Sequence, residues 1–262
     1  MDSVSETGLR PGELSAWFPI APLTGKPELR LFCLHHGGGG ASAYRDWQKL
    51  LDPRVEVVPV QLPGREGRFN EPCELSIRRL TERLTEPILH RAGDVPFAFF
   101  GHSMGALLSY ELTYELGARG VPPQHLALSG FAPPHLTRPA GVRLLPDQEF
   151  MAHIVGLEGT PADLVELPEL LDLLLPVLRA DFTACETYEY VEREALRVPV
   201  TVFGGSEDPG VEVPMLRRWA DLVATAPYLR VFPGGHFYLQ EQREELVRAL
   251  ADRLGFGLVD QK

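Results

Sequence analysis

Ser103, Asp208 and His236 are the residues whose types and order along the chain best suit chemistry. A serine hydroxyl is a poor nucleophile until a base accepts its proton and a third group orients that base. In one class of α/β folds these groups follow one another in the order serine, acid, histidine. The sequence therefore predicts acyl transfer: Ser103 attacks a carbonyl carbon, His236 moves the proton, and Asp208 holds the imidazole in one tautomer.

The serine lies in a G-x-S-x-G motif, Gly101–Gly105, and its neighbours give the motif its meaning. The apolar run Val95–Phe100 predicts a buried strand before it, and Ala106–Leu112 predicts a helix after it. A sharp turn between strand and helix exposes the serine, and the helix directs its first N–H groups towards a developing oxyanion. The flanking strand and helix therefore favour a nucleophile over a chance Gly/Ser turn.

The acid and the base each follow a predicted strand. Asp208 comes shortly after Val198–Phe203, and His236 comes after Tyr228–Phe232. Because the carboxyl ends of parallel strands meet at one edge of a sheet, we expect both side chains near Ser103. Glu207 is the alternative acid, but an aspartate before a proline is the better match to a strand-end acid. A turn-capping role for Asp208 and a simple loop position for His236 are the structural alternatives.

An oxyanion hole needs two backbone N–H donors. Met104, directly after the nucleophile, is predicted to supply one. The other is expected from the glycine run that follows the first strand, and Gly37 is the residue we select.

The same glycine run allows two other interpretations. Gly38-x-Gly40-x-x-Ala43 fits a degenerate dinucleotide fingerprint, but Glu56 lies near the start of the next strand, whereas a ribose-binding acid belongs at its end. His35 and His36 have no third ligand at a helical or strand spacing. We therefore expect neither a cofactor nor a metal.

Strand and helix patterns alternate on both sides of a leucine-rich helical block. Further strands are predicted at 29–34, 55–60 and 126–130, and further helices at 43–51, 75–92 (with Pro87 as a kink or break), 214–224 and 240–254. Residues from about 135 to 190 predict only helices, at 148–155, 164–175 and 177–188. The pattern predicts a single α/β domain over 1–262, a doubly wound and mostly parallel sheet with a helical lid inserted at 135–190.

Composition and charge limit the kinds of partner and the cellular location that we expect for the chain. The chain has 262 residues and a net charge of −11, which disfavours nucleic acid and anionic membranes as main partners. Its three cysteines are widely spaced and odd in number, so a reducing cytoplasmic location is expected. The acidic N-terminus predicts no signal peptide, and no apolar run is long enough to span a bilayer.

With these residues in place, the chain resembles the type II thioesterases of polyketide and nonribosomal-peptide synthesis, which have the α/β-hydrolase fold. The likeness extends over about residues 29 to 254 and is carried by five stretches: Leu31–Gly39, Gln61–Arg68, Gly101–Gly105, Leu175–Asp181 and Gly234–Phe237. The P-G-R-E-x-R loop and the L-P-x-L-R-A-D helix are more specific than G-x-S-x-G. His35 departs from the family pattern, where proline is more common.

The resemblance implies an editing hydrolase that removes stalled or aberrant acyl groups from the phosphopantetheine arm of acyl or peptidyl carrier proteins. The same family pattern includes enzymes that release medium-chain fatty acids. A general carboxylesterase or lipase on the same triad is the second hypothesis, and a binding protein without turnover is the third. Carrier proteins are usually acidic, so we expect a local arginine patch, Arg179 or the Arg217-Arg218 pair, to dock them.

The leucines of the predicted lid suit an acyl substrate. They could form the roof of a channel and exclude water from an acyl-enzyme, or simply pack the lid on the sheet or on another subunit. The candidates for lining the channel are Leu164, Leu167, Leu170, Leu171, Leu174 and Leu178.

Overall fold

The computed structural model describes residues 11–157 and 168–259. Its centre is one six-stranded sheet in the order β2-β1-β3-β4-β5-β6, in which every neighbouring pair is parallel. The strands are β1 Leu29–Leu34, β2 Val55–Pro59, β3 Phe97–His102, β4 His125–Ser129, β5 Val200–Gly205 and β6 Tyr228–Phe232. The predicted parallel sheet is therefore confirmed.

The direction in which the chain adds strands reverses between β1 and β3. From β1 the chain crosses to β2 on one side, and then returns to β3 on the other side. In open α/β sheets such a reversal opens a crevice at the carboxyl ends of the two strands, because their following loops diverge. The glycine run after β1 and the serine turn after β3 both begin at this crevice.

Apolar layers cover both faces of the sheet. The helices are α1 Pro11–Trp17, α2 Ile77–Ala92, α3 Met104–Ala118, α4 Asp147–Gly156, α5 Pro168–Glu186, α6 Val213–Arg217, α7 Tyr238–Glu241 and α8 Arg243–Leu254. One core joins Phe32 and Phe99 to the buried sides of α2 and α3. The other joins Leu31 and Phe100 to α8. Successive residues of a strand thus point to opposite faces of the sheet and pack into different cores. Because both faces are buried, the strands appear in the sequence as continuous apolar runs.

Two predicted helices are each replaced by shorter helical segments. Two short 3-10 helices, Ala41–Tyr44 and Trp47–Lys49, replace the helix expected at 43–51. Tyr44 and Trp47 are fully buried and their rings contact Phe100, so this aromatic packing helps to determine the path of the segment. The helix expected at 214–224 is the short α6 followed by the 3-10 helix Arg218–Leu222.

Two prolines that the sequence predicts as helix interruptions, Pro87 and Pro176, lie inside continuous helices. Helix α2 continues through Pro87, so a break there was the wrong expectation. The helices predicted at 164–175 and 177–188 form one helix, α5, over the residues that the structure describes; residues 164–167 lie outside them. A proline inside a helix removes one N–H donor, and burial of the following Val177, Leu178 and Ala180 helps to offset that loss.

Helices α4 and α5 lie between β4 and β5 in the chain and share a small apolar core of their own. Phe150, Met151 and Ile154 of α4 pack with Leu178 of α5. The limits of the domain (1–262) and of the lid (135–190) remain predictions. Among the described residues, the helices are too short or too polar to cross a membrane.

Candidate active site

Ser103 lies at the turn between β3 and α3 in a backbone conformation that a serine rarely adopts. Its φ is 54° and its ψ is −120°. Its N–H donates to the carbonyl oxygen of Ser129 on β4 at 2.8 Å, which helps to hold the strained turn. A Cβ at Gly105 would lie 2.1 Å from the carbonyl oxygen of Leu34, so only glycine allows α3 to start this close to β1.

The structure brings the three sequence-predicted catalytic side chains together. His236 Nε2 lies 3.0 Å from Ser103 Oγ, and His236 Nδ1 lies 2.7 Å from Asp208 Oδ2. Asp208 can only accept in its ionised form, so Nδ1 carries the proton and Nε2 is free to accept from the serine hydroxyl. The arrangement can therefore take a proton from Ser103.

Asp208, and not Glu207, is the carboxylate in contact with the histidine. Its second oxygen, Oδ1, accepts from the N–H groups of Gly210 at 2.8 Å and Val211 at 3.1 Å. Both carboxylate oxygens of this buried side chain are therefore hydrogen-bonded. Glu207 is exposed, and its backbone N–H donates to Gly234.

The predicted oxyanion donors, Gly37 and Met104, border the same cavity as Ser103. Met104 is the first residue of α3, where an N–H has no acceptor within the helix. In the glycine run, the N–H of Gly38 donates to Asp181 Oδ2 at 2.7 Å and that of Gly39 donates to the carbonyl oxygen of His36 at 3.0 Å. Within the described part of the chain the N–H of Gly37 has no acceptor, so it is available to an oxyanion. The roles of Gly37 and Met104 remain predictions.

An apolar cavity opens above Ser103. Its volume is about 610 Å³, and it extends from Ser103 and His236 to side chains of α4 and α5. Apolar residues of the wall include Leu107, Phe131, Ile154, Leu157, Leu174, Leu178 and Phe182. A cavity of this size and character suits an aliphatic or aromatic acyl group.

The predicted lid leucines have different positions. Leu174 and Leu178 line the cavity, whereas Leu171 packs against the small core around Phe150. Leu164 and Leu167 lie outside the described residues, as does the side chain of Leu170.

Two histidines next to His236, His36 and His102, are held neutral. Burial and the neighbouring His35 and His236 lower the pKa of His36 from 6.5 to about 3. Burial, His236 and His36 lower the pKa of His102 well below 6.5. His102 Nδ1 lies 2.9 Å from Ser129 Oγ, which in turn lies 2.6 Å from the Tyr238 hydroxyl. At neutral pH, neither imidazole adds positive charge beside His236.

The alternative interpretations of the glycine run find little support. A short 3-10 helix follows the run, in place of the α-helix that a dinucleotide phosphate would require. Glu56 is buried and paired with Arg30 and Arg91, so its carboxylate is occupied. Within residues 11–157 and 168–259, no group of three or more His, Cys, Asp or Glu side chains is placed to hold a metal ion.

Sequence reasoning missed two polar residues beside the site, Arg65 and Asp181. They form a buried ion pair, and Asp181 lines the cavity. Both lie in the specific stretches Gln61–Arg68 and Leu175–Asp181. Those stretches therefore carried a signal to which no role had been assigned.

The parallel sheet, its strand order and the serine turn define a member of the α/β-hydrolase class. The profile of the family described as "Thioesterase domain" matches residues 29–254, and the chain belongs to that family. It is therefore a hydrolase that acts on thioesters.

Named thioesterases are among the similar proteins and solved structures. The chain is 40% identical over 250 residues to "Linear gramicidin dehydrogenase LgrE" of Brevibacillus parabrevis, covering 94% of this chain and 95% of that protein. It is 38% identical to "Thioesterase PikA5" of Streptomyces venezuelae, over 86% of this chain and 81% of that protein. The RedJ thioesterase from the prodiginine biosynthetic pathway of Streptomyces coelicolor superposes with a TM-score of 0.83 at 37% identity, covering 91% of this chain and 98% of that one.

Proposed function

We propose that this thioesterase hydrolyses acyl groups carried on the phosphopantetheine arm of acyl or peptidyl carrier proteins, and so clears stalled or aberrant chains from polyketide or nonribosomal-peptide synthases. The observation that carries the proposal is the Ser103–His236–Asp208 relay at the base of an apolar cavity of about 610 Å³. The pathways in the names of similar proteins, such as prodiginine biosynthesis for RedJ, support a carrier-bound substrate.

In the acylation step, Ser103 Oγ attacks the thioester carbonyl carbon while its proton passes to His236 Nε2 across the 3.0 Å contact. Asp208 stabilises the imidazolium through the 2.7 Å contact at Nδ1. Negative charge develops on the carbonyl oxygen, and the N–H groups of Gly37 and Met104 bind it. The C–S bond then breaks, and the departing pantetheine sulfur takes the proton from His236.

Hydrolysis of the acyl-enzyme uses the same groups, with water as the nucleophile and the Ser103 oxygen as the leaving group. His236 Nε2 accepts a proton from a water molecule, and the resulting hydroxide attacks the ester carbonyl carbon. The C–O bond to Ser103 breaks, and the serine oxygen recovers the proton from His236. The apolar wall formed by Leu174, Leu178 and Phe182 accommodates the acyl chain during both steps.

The experiment compares three substrates bearing the same acyl group: an acyl-carrier protein, an acyl-pantetheine thioester and the matching oxygen ester. We expect the acyl-carrier protein to have the highest kcat/KM, and S103A to abolish all three activities. Equal kcat/KM for the thioester and the oxygen ester, with no gain from the carrier, would favour a general esterase instead. Absence of turnover with all three, together with failure of Ser103 to react with a fluorophosphonate, would favour a binding protein.

The acyl group itself distinguishes editing from fatty acid release. A series of carriers loaded with acetyl, medium-chain, long-chain and aminoacyl groups should show broad acceptance if the protein edits. A sharp preference for one medium chain length would contradict editing and would favour chain release.

A further inference from the structure

Asp181 and Arg65 form a buried ion pair beside the active site that the proposed mechanism does not use. Asp181 lies on α5 and is 1% exposed, and Arg65 lies in the loop after β2 and is 6% exposed. Arg65 Nη1 donates to Asp181 Oδ2 at 2.5 Å, and Nη2 donates to Oδ1 at 2.9 Å. A bidentate pair of this kind fixes the orientation of the carboxylate as well as its position.

The carboxylate in turn holds the glycine run. Asp181 Oδ2 accepts the N–H of Gly38 at 2.7 Å, and Arg65 Nη1 reaches the carbonyl oxygen of Gly39 at 3.4 Å. Gly38 directly follows Gly37, and the two share a peptide bond whose plane is rigid. The direction of the Gly38 N–H therefore constrains the backbone of Gly37, whose own N–H is the predicted oxyanion donor.

The glycine run is also held from its far end. Glu66, next to Arg65, has a φ of 45° and accepts from the hydroxyl of Ser42 at 2.5 Å and from its N–H at 3.3 Å. On the near side, a Cβ at Gly38 would lie 2.4 Å from Leu178 Cδ2, so α5 lies directly against the run. Without Asp181, the N–H of Gly38 would lose its acceptor, and the glycine backbone at 37 and 38 is free to rotate when nothing holds that N–H.

Energetics favour a role beyond simple stability. Burial works against the charge of Arg65, and the hydrogen bonds and charge of Asp181 outweigh it, so the pKa of Arg65 is raised. A buried ion pair often contributes little net stability compared with apolar residues of the same volume. Its value here is geometric, because among the described residues this carboxylate links α5, the loop after β2 and the glycine run.

We infer that Asp181, oriented by Arg65, is a positioning residue that fixes the Gly37 N–H for the oxyanion, so that the oxyanion hole is complete only with α5 in place. The inference rests on the proposed serine mechanism. It gives an active-site role to the P-G-R-E-x-R loop and the L-P-x-L-R-A-D helix, neither of which supplies a triad residue.

The test compares D181A and R65K with E56A. Glu56 is a matched control, because it is also a buried carboxylate that pairs with arginines and accepts a backbone N–H, that of Leu23 at 3.0 Å. It lies near the amino end of β2, away from the carboxyl edge that carries the triad. The substrate is a small acyl-pantetheine thioester, so that carrier docking has no influence.

We expect D181A to lower kcat about 10- to 100-fold with KM changed by less than about twofold, because displacing a donor should cost somewhat less than removing one. R65K should give a smaller loss of the same kind, since lysine cannot form the bidentate contact. A medium-chain alkylboronic acid, which forms a tetrahedral adduct on the serine, should bind more weakly by the factor by which kcat/KM falls. E56A should change thermal stability but neither of these quantities.

Retention of kcat within about twofold of the original chain in D181A would overturn the inference, as would an equal loss in E56A. If D181A does not fold, D181N and R65K decide in the same way. Hydrolysis by S103A would instead contradict the proposed function, whatever the result for Asp181, so the two failures are distinguishable.

Discussion

At the scale of single residues, the site depends on which proton each group holds. His236 can act as a base only if Nε2 is unprotonated, and the contact of Nδ1 with Asp208 selects that tautomer. The two N–H groups on Asp208 Oδ1 leave Oδ2 as the oxygen that faces the imidazole. The neighbouring Glu207 is exposed and offers a built-in comparison.

Replacing Asp208 by asparagine should therefore be far more damaging than replacing Glu207 by glutamine. In D208N the amide can donate to Nδ1, which favours the wrong imidazole tautomer, and we expect kcat to fall about 10³- to 10⁴-fold. E207Q should remain within about twofold, because an exposed carboxylate outside the relay has little effect. Steady-state hydrolysis of a small thioester measures both. Similar losses in the two variants would contradict the assignment of Asp208.

At the scale of elements, α5 has a polar role and an apolar role on the same side of the site. Asp181 contacts the glycine run, whereas Leu178 and Leu174, about one and two turns earlier, line the cavity. The neighbouring Leu173, by contrast, is 49% exposed to solvent. The helix therefore offers adjacent leucines that separate an effect on the cavity from an effect on the surface.

A tryptophan at position 174 should shorten the acyl chain that the enzyme accepts. The larger side chain fills part of the cavity, so L174W should lower kcat/KM for long acyl groups by roughly tenfold or more, with little change for acetyl. L173W adds the same bulk at an exposed position and should leave the chain-length profile unchanged. Parallel profiles for both variants would show that Leu174 does not limit the acyl chain.

At the scale of the whole molecule, the net charge of −11 means that the proposed docking of an acidic carrier protein would depend on a local group of basic side chains. Arg179 is already used internally: it donates to the carbonyl oxygens of Arg143 and Leu145, pairs with Asp147, and lies over the ring of Phe150. This binding ties α5 to the segment before α4 and leaves less of the guanidinium for a partner.

The docking prediction therefore moves to Arg217, which is exposed on α6. R217E should raise KM for an acyl-carrier protein by about tenfold at low salt, because charge complementarity mainly speeds encounter. KM for the acyl-pantetheine thioester should stay the same. Arg78 on α2, which is also exposed, provides the control R78E. Equal effects of R217E on both substrates would remove the docking role.

Buried histidines should make the fold sensitive to acid. His125 lies on β4 with Nε2 2.9 Å from Thr201 Oγ1, and burial and the charge of Arg253 lower its pKa from 6.5 to about 4. Below pH 6.5 the unfolded chain binds a proton that the folded chain does not, so stability is full above about pH 6.5 and is lost as the pH falls towards 4.

We expect His125 to contribute about 1–2 kcal/mol to the loss of unfolding free energy between pH 7 and pH 5. Urea unfolding of the original chain and of H125N at several pH values measures this contribution. H125N should be less stable at pH 7 but should lose less stability on acidification. Parallel pH dependences would contradict the prediction.

The sequence by itself determined the residues that meet at the carboxyl edge of the sheet. Ser103, Asp208 and His236 each follow a strand whose apolar run is visible locally, and parallel strands place those positions at one edge. Strand positions were predictable to within a few residues for the same reason, since β1 and β6 occur as expected. Each residue of the proposed triad is therefore predictable from the short stretch of sequence around it.

Only the tertiary structure decided how the glycine run is held. Arg65 and Asp181 are 116 positions apart, and no local pattern shows that they meet. The continuity of α5 through Pro176 and the 3-10 path around Trp47 likewise depend on which neighbours bury them. The physical reason is common to all three features. Contacts between segments that are distant in the sequence stabilise them, whereas helix and strand propensities depend only on the local sequence.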